Sequence, residues 1–72
     1  MLTDVRTRSV RGLDLRLRRT RVGVTQTQLA ADMGVARPRV SQIEATYRPS
    51  VNAVRRYLAA LDRLLAIEPA DA

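Results

Sequence analysis

Neither cysteine nor histidine occurs in this chain of 72 residues, and that absence limits how the chain can hold a fold. A domain this short buries only about 60% of the surface its unfolded chain exposes. Chains near that limit are usually supported by a disulfide, a metal or a partner chain. Without cysteine there is no disulfide and no thiolate site, and without histidine the commonest metal ligand and general base are gone. Apolar packing, within the chain or against a second copy, is the support that remains. No metal and no cofactor are expected. The residue usage also fits a reducing compartment, so the expected location is cytoplasmic.

The apolar fraction, 46%, is enough for a globular core and too high for a disordered basic tail. No apolar run approaches the roughly 18 residues of a membrane span. The segment from Met1 to Arg11 lacks the apolar centre of a secretory signal. Charge is more telling. Thirteen basic residues, all arginine, oppose seven acidic ones, for a net +6. Such an excess points to a polyanionic partner, either nucleic acid or an anionic membrane surface. Guanidinium groups favour the first, since their planar fork suits phosphates and guanine edges.

Punctuation divides the chain into short helical pieces. Residues 1–8 read as a basic, flexible arm carrying Arg6 and Arg8, followed by a single domain over 9–68 and a disordered tail over 69–72. Ser9 is the expected N-cap of a first helix ending near Arg21 or Val22 at Gly23. Its apolar stripe is expected to be Val10, Leu13 and Leu17, although Leu13, Leu15 and Leu17 also alternate like a strand. Thr25 and Gln28 fit a capping box, opening a second helix that runs to Met33 with Leu29, Ala30 and Met33 inward. Gly34 closes it. A third helix spans Arg37 to Ala45, with Pro38 in its first turn. Val35, Val40 and Ile43 should tie it to the core. After the loop from Thr46 to Pro49, Ser50 caps a last apolar stretch. There Val54, Tyr57, Leu58, Leu61, Leu64 and Leu65 recur at helical spacing. That stretch is either one helix to about Ala66 or two, broken near Asp62; Pro69 marks its end.

The fold class is therefore all-α, with four to five short helices. Two of them, joined through Gly34-Val35-Ala36, make the pattern of a helix-turn-helix. Small Ala30 permits close approach, and Gly34 supplies a turn with positive φ. The outer face of the third helix then presents Arg37, Arg39, Ser41 and Gln42. These residue types read base edges, arginine on guanine and glutamine on adenine.

The run TQTQLAADMGVARPRVSQIE resembles the helix-turn-helix of the lambda-repressor-like family, also called the Cro/C1-type or XRE family. The matching positions are Thr25-Gln26, Leu29-Ala30, Gly34-Val35 and Val40-Ser41-Gln42-Ile43-Glu44, with Pro49-Ser50 before an apolar helix. The resemblance implies a sequence-specific regulator of bacterial or phage origin that binds double-stranded DNA. It places Gln26, with Thr27 beside it, on a phosphate at the start of the second helix. It puts Arg37, Pro38, Arg39 and Gln42 at recognition positions, and Tyr47 and Arg48 in a phosphate-contacting loop; Ser41, on the same outer face, is a further candidate DNA contact, to a phosphate or only to water. It also implies an ion pair between Glu44 and a first-helix arginine, most simply Arg19. Three departures stand out: Ala36 and Pro38 leave the third helix without a side-chain N-cap, Arg18 falls where an apolar residue is common, and Asp62 replaces the usual glycine after the fourth helix.

Two functions compete under this resemblance. One is a Cro-like or immunity-type repressor that occupies a palindromic operator as a homodimer, with Leu61, Leu64, Leu65 and Ile67 forming the dimer interface. The other is an antitoxin that covers a toxin protein and represses their shared operon. RNA or membrane-surface binding ranks below both. Two tyrosines are the only aromatics, so base-stacking platforms and a wide aromatic face are lacking. An enzyme is not expected, since the seven acids are scattered and no phosphate-cradling glycine loop occurs.

Overall fold

The computed structural model describes residues 10–66. Four helices follow one another: α1 (Gly12–Arg21), α2 (Gln26–Met33), α3 (Arg37–Ala45) and α4 (Val51–Ala66). No strand occurs among the described residues. The arm over 1–8, the expected cap Ser9, Ile67, Pro69 and the tail lie outside them.

Local signals set the helix ends. Thr25 Oγ1 accepts from the backbone N–H of Gln28 at 3.0 Å, and the Gln28 side chain accepts from the N–H of Thr25 at 2.8 Å. This reciprocal box starts α2. At the other end Gly34 takes φ +74°, a region costly for any side chain with a Cβ. Its N–H bonds to the Ala31 carbonyl and that of Val35 to the Ala30 carbonyl, so two otherwise orphaned carbonyls are satisfied. Ser50 Oγ accepts from the Ala53 N–H at 3.1 Å and opens α4. The helix then continues through Asp62, which is exposed and interrupts nothing.

Helices α2 and α3, with 8 and 9 residues, are too short to persist alone. Packing holds them. α2 lies against α3 and α4, and α1 crosses α3 and touches α4. The core they share holds Leu15, Leu29, Ala30, Met33, Val40, Ile43, Ala53, Val54, Tyr57, Ala60 and Leu61. The α4 arginines reinforce this arrangement: Arg56 donates to the Met33 carbonyl at the end of α2, and Arg63 pairs with Asp32 at 2.8 Å.

The first helix departs from expectation. It begins at Gly12, and its inward stripe is Gly12, Leu15 and Arg19. Leu13 and Leu17, expected to face the core, are exposed, and Val10 is only half-buried. The cause is the crossing with α3. A Cβ on Gly12 would lie 2.5 Å from the carbonyl oxygens of Ile43, Glu44 and Thr46. The backbone itself makes the contact there, with the Gly12 N–H donating to the Thr46 carbonyl at 3.0 Å. With Gly12 inward, helical spacing brings Leu15 and Arg19 inward too. The Arg11 N–H bonds to Asp14 Oδ2 at 3.0 Å, securing the first turn.

Candidate nucleic-acid interface

The third helix has a buried inner face of Val40, Ile43 and Glu44. Arg37, Pro38, Arg39 and Gln42 are exposed on it, and Ser41 is half-buried. The residue before it, Ala36, offers no side-chain cap, as expected from the sequence; Pro38 has no N–H to satisfy, and the Arg39 N–H donates to the Ala36 carbonyl at 2.9 Å. Arg39 Nη1 donates to Gln42 Oε1 at 2.9 Å, pairing the two groups one turn apart. Arg37 Nη1 donates to Gln26 Oε1 at 3.0 Å, tying the recognition helix to the start of α2. Each arginine commits one of its five N–H donors to these bonds, leaving most of its fork free.

Below this surface lies a buried polar network. Arg19 meets Glu44 through two parallel bonds, Nε to Oε2 at 2.7 Å and Nη2 to Oε1 at 3.1 Å. Its remaining nitrogen, Nη1, donates to the Val24 carbonyl at 2.8 Å. Gln26 Nε2 donates to Glu44 Oε1 at 3.0 Å. The Tyr57 hydroxyl lies 2.5 Å from Glu44 Oε2 and 3.1 Å from the Leu15 carbonyl. It has one proton to give, and the shorter, charge-assisted contact to the carboxylate takes it. Among the described residues no buried side-chain nitrogen or oxygen lacks a partner.

The network sets the charge states. Burial pushes the Glu44 carboxyl up, but hydrogen bonds from Arg19, Tyr57 and Gln26 outweigh it and hold the group below the ordinary glutamate value of 4.5. The hydrogen bond with Glu44 raises Arg19 in spite of its burial. Burial, followed by the bond to Glu44, raises Tyr57 well above 10.0. At neutral pH the result is an ionised pair with a neutral phenol bonded to it. Such a pair adds little net stability, but it becomes costly if one member is removed.

At the first turn of α2, Gln26 is half-buried and Thr27 exposed. The backbone N–H groups of these two residues precede the first intrahelical bond and point off the helix end. Tyr47 and Arg48 are both exposed in the loop after α3. Tyr47 carries the Arg11 guanidinium over its ring, 4.4 Å from the centroid. Sequence reasoning missed this stack, and it missed the role of the Tyr57 hydroxyl, since the apolar spacing of Tyr57 points to core or dimer interface and not to a polar network.

The expected dimer residues separate. Leu61 is 2% exposed, inside the protomer's own core, and is not available to a partner. Leu64 is half-buried against that core, Leu65 is exposed, and Ile67 lies outside the described residues. Leu61 shares its helical spacing with Leu64 and Leu65. That spacing does not distinguish a core from an interface.

No group of three or more metal-binding side chains occurs among the described residues. None of the described helices is long and apolar enough to cross a membrane. A helix-turn-helix family model, of the Cro/C1 type, matches residues 15–66, which takes in all of α2, α3 and α4. No curated protein and no solved structure gives a significant match. The chain belongs to the Cro/C1-type helix-turn-helix (XRE) family of DNA-binding transcription regulators.

Proposed function

We propose that the protein is a sequence-specific repressor that acts by occupying a palindromic operator as a homodimer. One observation carries this reading: α3 exposes Arg37, Arg39 and Gln42 while Glu44, on its opposite face, is fixed by Arg19, Gln26 and Tyr57. A helix held rigidly from behind and armed with bidentate donors in front suits direct readout in a major groove. In this reading Arg37, Arg39 and Gln42 contact base edges, and Pro38 packs against a thymine methyl. Ser41, the α2 N-terminus at Gln26 and Thr27, and the loop residues Tyr47 and Arg48 contact phosphates, which set register. Dimerisation uses the outer end of α4 through Leu65 and the exposed part of Leu64, so that two recognition helices enter major grooves about 34 Å apart.

The antitoxin reading has one observation in its favour. A groove of about 260 Å³ is lined by the apolar Val10, Leu15, Leu17 and Leu58 together with the charged Asp14, Arg18 and Arg21. No residue of α3 lines it, so a protein partner seated there would leave the recognition helix free.

Selection of bound sequences from random duplex DNA tests the main reading. A palindromic winner bound on the order of 10³-fold or more over scrambled duplex is the expected result. Enrichment of no sequence, with affinity that collapses in salt, would reject it.

A further inference from the structure

Beside the recognition helix, α1, α2 and α3 enclose an open, mainly polar cleft of about 430 Å³. It is lined by Arg16, Arg19, Gln26, Ser41, Glu44 and Ala45. Most of its polar groups are already committed. Both Glu44 oxygens are bonded, and Arg19 uses Nε and Nη2 on Glu44 and Nη1 on Val24. Gln26 bridges Glu44 and Arg37. Arg16 is different: it is exposed, and its guanidinium has no hydrogen-bonding or ionic partner among the described residues. With the Arg19–Glu44 pair self-neutralised, the described residues lining the cleft carry one uncompensated positive charge, that of Arg16. Half-buried Ser41 of α3 lines the same space.

The geometry points to a phosphate site in this cleft, with Arg16 binding one backbone phosphodiester of the strand that borders the groove α3 enters. This assignment rests on the duplex-reading function proposed above and adds α1 to the contact surface. Its chemistry is that of the backbone. Arg16 springs from α1, so it lies alongside the groove and carries charge and a fork of donors with no base edge to read. The buried pair behind it serves as a wall that neither attracts nor repels the anion strongly.

Salt dependence tests this. Each phosphate neutralised by a protein cation adds about 0.9 to the slope of log affinity against log salt on duplex DNA. Arg16→Gln is expected to lower that slope by about 0.9 and to weaken selected and scrambled duplex by the same factor. Arg16→Lys should restore the slope. Arg18→Gln removes the same charge from the part of α1 that lines the other groove, and should leave the slope unchanged. Arg16 is exposed and has no side-chain partner among the described residues, so its variants should melt at the wild-type temperature. An unchanged slope in Arg16→Gln overturns the assignment, as does an equal drop in Arg18→Gln or a loss confined to the selected duplex. A wild-type protein that binds no duplex would defeat the proposed function itself; wild-type binding with an unmoved Arg16→Gln slope defeats only this site.

Discussion

On the inner face of α3, Val40 and Ile43 are at most 3% exposed and Glu44 is bonded to three other side chains. On its outer face, Arg37, Pro38, Arg39 and Gln42 stand in solvent, held by two side-chain bonds. In the proposed function α3 thus divides between fold on one face and recognition on the other. Inner residues are bound by packing and by a charge that cannot be left alone. Outer ones are free of packing, so their identity can follow the DNA at little cost to stability. Loss of stability and loss of specificity should therefore separate cleanly by face.

The largest effect is expected at Glu44. Glu44→Ala leaves the Arg19 guanidinium buried without its partner, at a cost of about 3–5 kcal/mol. A domain this small rarely holds more than that in reserve, so the variant should show no cooperative thermal transition near room temperature. A wild-type melting curve would show that the inner face does not depend on the pair. Gly12→Ala comes next. Its new Cβ would meet three backbone oxygens at 2.5 Å, and backbone cannot swing aside as a side chain can. A loss of about 3 kcal/mol, the upper part of the overpacking range, should appear in urea denaturation. An unshifted midpoint would mean that α1 can slide along α3 without penalty.

Glu44 also gives the inner face a pH signature. Its folded pKa is lowered, so its contribution is present above the ordinary 4.5 and is lost as pH falls below that through the folded value. Tyr57 is shifted the opposite way. Its contribution is complete below 10.0 and is lost as pH rises beyond. Stability should be flat between those limits and fall on both sides. In Tyr57→Phe the alkaline fall should shrink; an alkaline limb of full size in that variant would assign it to other groups. The smallest effect is expected at Asp32, whose bond to Arg63 at 2.8 Å is as short as many in the buried network. The Arg63 side chain is 56% exposed, so Asp32→Ala should cost only about 0.2–1 kcal/mol. A loss equal to that of Glu44→Ala would show that burial does not separate the two pairs.

Legibility in the sequence follows the same division. α2 and α3 were readable because their ends are local: a capping box at Thr25 and Gln28, a left-handed glycine at Gly34, a proline in the first turn of α3. The outer face of α3 followed from those ends and helical spacing. The inward face of α1 was not readable from periodicity, because Leu13, Leu15 and Leu17 offer competing stripes and only the crossing with α3 decides among them. Arg19 held the missing signal. Once it points inward, Leu15 and Gly12 lie four and seven residues before it on the same face. The role of Gly12 depends on carbonyls more than thirty positions away, and no local pattern encodes that. Leu61 was misplaced for a related reason: amphipathic spacing along α4 shows which residues are apolar, not whether their own protomer covers them.

In the proposed function, the exposed face of α3 reads sequence without supporting the fold. Comparing wild type with Arg39→Ala, on selected and on scrambled duplex at one salt concentration, tests it most directly. The expected result is an unchanged melting temperature and a loss on the order of 1–3 kcal/mol on the selected duplex alone, with specificity relaxed at one base position. An equal loss on both duplexes would reduce Arg39 to a phosphate contact and contradict the claim.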